Sequence, residues 1–159
     1  MTTKLPSIEK VKYAGAKALR IKFRNAGWRT VSLEGVTARY TALGPLNDPT
    51  KFAKMRVIDW GGAVGWPGDL DIGASTLWHL SEEQKPFTAK DLIAWQARNG
   101  LSNQETADAL GVSPATIKNY RTGGSIPTAV AIACRAMEAE PTTLAAHYRP
   151  RKAGRPKAA

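Results

Sequence analysis

Two short helices held at a fixed angle are written into residues 102–122. Ser102 with Glu105 three positions on is a capping box, the start of one helix. Ala107 and Leu110 give that helix an inward face. Gly111 stops it after about eight residues, where a reversal of the chain would strain a β-carbon. Ser113-Pro114 opens the next helix, with Ile117 and Tyr120 on its inner side, and Gly123-Gly124 ends it. The second helix crosses the first close to Ala107, so that residue must be small. Leu110, Val112, Ile117 and Tyr120 then lock the pair and leave one helix standing out from the surface.

Helical signals continue on both sides. Thr88 with Asp91 is an N-terminal cap signal, Leu92, Ile93 and Trp95 follow, and Asn99-Gly100 is the stop. Pro127 opens a fourth helix, Thr128 to Glu138, whose apolar positions Val130, Ile132, Ala133, Ala136 and Met137 are expected in the core. The first half reads differently. Leu19, Ile21 and Phe23 alternate with Arg20, Lys22 and Arg24, the period of a half-buried strand. Asn25-Ala26-Gly27 is a turn, and Val31 and Leu33 resume the alternation, which predicts a hairpin. Asp48-Pro49 looks like a helix cap. A second hairpin is expected from Arg56–Trp60 and Ala63–Trp66 around Gly61-Gly62, then a short helix from about Ala74 to Leu80. The polar run Ser81–Pro86 is read as the boundary. The expected fold is α+β: a small sheet domain over 1–84, an all-α domain over 85–148, and a flexible basic tail over 149–159.

Charge narrows the partners. The chain has 23 Lys and Arg against 13 Asp and Glu, net +10. Residues 1–84 carry +4, residues 85–148 carry +1, and the last eleven residues carry +5 with no acid. Polyanions are the default partners of so basic a protein. The single cysteine, Cys134, excludes an internal disulfide and a cysteine-cluster metal site. No run approaches the ~18 apolar residues of a membrane helix, and Met1–Pro6 lacks a secretory apolar stretch, so a cytoplasmic location is expected.

The segment Asn103–Thr122 resembles the Xre/Cro-like repressor helix-turn-helix, and the resemblance extends over about residues 86–141. One slot departs: Thr106 stands where family members usually carry Leu or Ile. The resemblance implies that the helix after Ser113 is the recognition helix. Ala115, Lys118 and Asn119 would face base edges with Pro114 at the lip. Asparagine suits adenine, lysine suits guanine acceptors, and alanine suits a thymine methyl. Pro114 takes a slot that often holds a long polar reader, which leaves shape contact there. Asn103, Gln104, Thr116, Tyr120 and Arg121 are the candidate phosphate contacts. In the tail, Gly154-Arg155-Pro156 flanked by Arg151, Lys152 and Lys157 reads equally as an AT-hook core and as an unspecific basic arm.

Met55–Ile72 followed by Leu77-Trp78 resembles a small bacterial domain of unknown function, over about residues 8–80. Some of its members stand beside toxin genes. Asp59, Asp69 and Asp71 could hold a metal or an acid/base pair, but aspartates in such turns more often cap them. His79 and His147 are isolated, and Cys134 lies in an apolar helix. Trp60, Trp66 and Trp78 could line a groove, though in so small a domain tryptophans usually form the core. No catalytic residue, metal or cofactor is expected. The reading is a double-stranded-DNA-binding transcriptional repressor acting as a homodimer. The alternative is an antitoxin or inhibitor that neutralises a partner protein through residues 1–84. Neither reading involves a membrane.

Overall fold

Leu19, Ile21, Phe23 and Val31 are buried while the residues between them face outward, and this alternation builds the first sheet. A computed structural model describes residues 4–150. The chain divides into two compact units, Met1–Lys85 and Pro86–Ala159. The first is α+β and the second is all-α.

In the first unit, β1 (Ile8–Tyr13), β2 (Ala18–Phe23) and β3 (Gly27–Ser32) form an antiparallel meander. Its inner face meets a second meander of β4 (Arg56–Ile58), β5 (Ala63–Trp66) and β6 (Leu70–Gly73) in one apolar core. Between the sheets run α1 (Glu34–Arg39), a 3-10 segment (Thr41–Asn47) and α2 (Pro49–Phe52). Asp48 caps α2 as expected, its carboxylate accepting from Thr50 N–H at 2.9 Å.

The last helix, α3 (Ala74–Glu83), runs through the polar stretch that the sequence assigns to the boundary. Ser81 is buried and Glu82 pairs with Arg29. The Gln84 carboxamide binds both backbone groups of Ser32, at 2.8 and 2.9 Å. These polar side chains close the edge of β3, which is why they belong to the fold.

The tryptophans separate. Trp66 is buried, and its indole N–H donates to the Phe52 carbonyl at 2.8 Å. Trp78 is half-buried, edge-on to Phe23. Trp60 is 99% exposed, so it is not core. Strand β4 ends before it, because Asp59, Trp60 and Gly61 take φ of 52°, 51° and 94°. Only glycine fits the third place, since a Cβ on Gly61 would lie 2.4 Å from the Ile8 carbonyl oxygen.

The second unit holds α4 (Ala89–Asn99), α5 (Asn103–Leu110), α6 (Pro114–Arg121), α7 (Thr128–Ala139) and α8 (Pro141–His147). Leu92, Trp95, Ala107, Ile117, Val130 and Cys134 form its centre. On α7 the expectation is half right. Val130 and Met137 are buried, but Ile132 is 52% exposed and Ala136 is exposed. Helical spacing sends positions 130, 134 and 137 inward together and turns 132 and 136 away. Helix α8 is unexpected from sequence. Glu140 caps it through Thr142 N–H at 3.2 Å, and the Tyr148 hydroxyl after it donates to Glu105 at 2.6 Å.

Candidate nucleic-acid interface

Helices α4, α5 and α6 each begin with a side-chain cap. Asp91 accepts from Thr88 N–H at 2.7 Å, and that backbone bond leads the effects holding its carboxyl below the usual range. Ser102 and Glu105 exchange two bonds at 3.1 Å, and Ser113 Oγ accepts from Thr116 N–H at 3.1 Å. Between α5 and α6 the chain reverses through Gly111 at φ 68°, the left-handed conformation that glycine adopts freely. Ala107 is fully buried at the crossing.

The two sides of α6 are therefore fixed. Ile117 is buried, and Tyr120 is 7% exposed with its ring in the core. Ala115, Lys118 and Asn119 share the opposite, exposed face, and Pro114 is half-buried at the first position. Asn119 sits against the turn that follows: a Cβ on Gly124 would lie 2.6 Å from its Nδ2. The Thr116 hydroxyl is bonded to Ser113 Oγ at 2.8 Å. Gln104 is exposed in the first turn of α5. Arg151, Lys152, Arg155 and Lys157 lie outside the described residues.

Sequence reasoning missed Gln96. It is buried on α4 and links all three helices. Its amide Nε2 donates to Thr106 Oγ1 at 2.8 Å and to Asn103 Oδ1 at 3.2 Å, and its Oε1 accepts from Arg121. Thr106, 0% exposed, donates its own hydroxyl hydrogen bond to the Ser102 carbonyl at 2.8 Å. The departure at Thr106 is thus matched by a polar partner and leaves no unpaired hydroxyl. The signal was there to read: a hydroxyl in an apolar slot requires a buried polar partner nearby. The same glutamine ties down two of the phosphate candidates, Asn103 and Arg121.

The carboxylates of the first unit do not gather. Asp59 follows β4 at one end of the second sheet, and Asp69 lies in the β5–β6 turn at the other. No group of three His, Cys, Asp or Glu is placed to hold a metal among the described residues. His79 and His147 are exposed. No helix among the described residues is long and apolar enough to cross a membrane.

Residues 96–132, from Gln96 through α6 into α7, match the helix-turn-helix family model. No curated protein matches the chain. A solved structure from Nitrosomonas europaea, described as a candidate DNA-binding protein, is 25% identical with a TM-score of 0.48, over 96% of this chain and 94% of that one.

Proposed function

We propose that the chain is a sequence-specific, double-stranded-DNA-binding transcriptional regulator, a repressor that works as a homodimer in the cytoplasm. The observation that carries this reading is the braced α6. Its inner residues are buried, its neighbours are fixed through Gln96, and Ala115, Lys118 and Asn119 are left on an open face. A helix presented in this way can enter a major groove and reach base edges with Lys118 and Asn119. Gln104 is the phosphate candidate left exposed beside it, Arg121 serves the brace through its bond to Gln96, and Arg151, Lys152, Arg155 and Lys157 add sequence-independent attraction. One recognition helix reads few base pairs, so a symmetric dimer is required for useful specificity, and the exposed apolar positions on α7 supply a surface for it. Footprinting on DNA flanking the gene tests the reading. Two protected half-sites about one helical turn apart are expected. Absence of protection even in dilute buffer overturns it.

A second reading is favoured by Trp60. A fully exposed indole on a left-handed turn resembles the aromatic anchors that concentrate binding energy at protein interfaces. On this reading the first unit neutralises a partner protein, as an antitoxin does. Co-expression with the neighbouring gene product should give a complex that Trp60→Ala weakens. No complex removes this reading.

A further inference from the structure

Most cations of the first unit lie in its first 32 residues, five of them within β1, β2 and β3. Residues 1–32 hold eight Lys or Arg and one acid, Glu9. Four of those cations share one surface. With Leu19, Ile21, Phe23 and Val31 pointing inward, the pleat sends their neighbours to the outer face. Register sets Lys10 opposite Lys22 and Lys12 opposite Arg20. Like charges directly across a strand pair are destabilising, and here two such pairs adjoin. Glu9, 3.3 Å from Lys22, is the acid ion-paired to this face among the described residues. Two neighbouring cations are engaged away from this face: Arg29 pairs with Glu82, and Lys17 donates to Asn47 at 2.7 Å.

Trp28 stands on the same outer face, opposite Lys22. The Lys12 ammonium lies 5.0 Å and the Arg20 guanidinium 5.5 Å from its ring centre. Cation–π attraction offsets part of the repulsion and orders both charges over the indole. Leu, Ile, Val, Met and Phe are missing from this outer face among the described residues, and its one indole, Trp28, is engaged by Lys12 and Arg20, so it offers a bilayer little to insert. A row of four cations with one paired acid suits a polyanion of regular spacing.

We propose that the outer face of the β1–β2–β3 sheet is a second duplex-DNA contact, which grips the phosphate backbone through Lys10, Lys12, Arg20 and Lys22 regardless of sequence. This extends the DNA-binding reading but does not need α6 to read bases. The test uses the full chain and a fluorescent mixed-sequence duplex, with anisotropy followed across a salt series. The triple variant Lys10→Gln, Lys12→Gln, Arg20→Gln should bind about 5- to 20-fold more weakly and flatten the log–log salt slope by about 2 to 3. Its thermal midpoint should not fall, since the substitutions relieve repulsion. An unchanged slope overturns the proposal, as does a loss confined to single-stranded RNA or to polyglutamate. Independently of any variant, the Trp28 indole N–H resonance of the parent chain should shift as duplex is added. A stationary Trp28 signal while α6 resonances move overturns the sheet contact alone. A chain with no base preference that still loses duplex affinity in the triple variant overturns the α6 reading alone. A parent chain that ignores duplex DNA overturns both.

Discussion

Thr106 and Gln96 show how one side chain can be right only because of another. Buried together, they exchange a 2.8 Å bond that neither could replace with water. Thr106→Val should therefore destabilise the chain by roughly 1–3 kcal/mol, because it strands part of the Gln96 amide. Gln96→Leu also gives up the bonds to Asn103 and Arg121, so the two single variants and the double one together isolate the Thr106 bond by urea unfolding, and the double variant should lose less than the sum of the singles. A coupling energy near zero would show that the bond contributes nothing. Cys134 makes a simpler case. Burial pushes its thiol up to about 12, so almost no thiolate exists near neutrality. It should resist a disulfide reagent at pH 8 in the native chain and react at once in denaturant.

At the level of elements, α4 to α7 were legible because each carries its own stop and start. Thr88, Ser102, Ser113 and Pro127 mark beginnings, and Gly100 and Gly111 mark ends. Strand β1 was not legible. A register shift between Ile8 and Lys10 breaks its alternation, so the apolar residues no longer fall at even spacing. Strand β6 has four residues and borrows its partner from β5, and α8 has one partly buried apolar anchor, Leu144. Their stability comes from packing rather than from local pattern. The exposed face of α6 was legible from the caps, but the brace behind it was not, because Gln96 acts through space. Two predictions belong here. Lys118→Ala and Asn119→Ala should each cost roughly 1–3 kcal/mol on the cognate site and relax base choice, read by competition with mutated operators. Ile132→Asp places a charge on the exposed apolar side of α7 and should shift a dimer toward monomer in sedimentation, while the helical unit stays folded.

Over the whole molecule, half of the +10 charge lies in residues 149–159. Removing them should weaken binding to every sequence alike and reduce the salt slope by up to about 4 to 5, since up to five phosphate-facing charges go. A truncated chain with the parent's slope would leave the arm without a role. Its basic residues and those of the first sheet would both add affinity without choosing a site, which leaves discrimination to α6.

Tyr148 moors that arm. Its hydroxyl is tied to the carboxylate at the head of α5, so Arg149 and Pro150 set out from beside that helix's first turn. The bond to Glu105 raises the phenol's ionisation above its ordinary value of 10.0. Its contribution is therefore whole below that pH and fades only as alkalinity climbs through the raised value. A single phenol thus decides from which corner of the helical bundle the extension begins its reach.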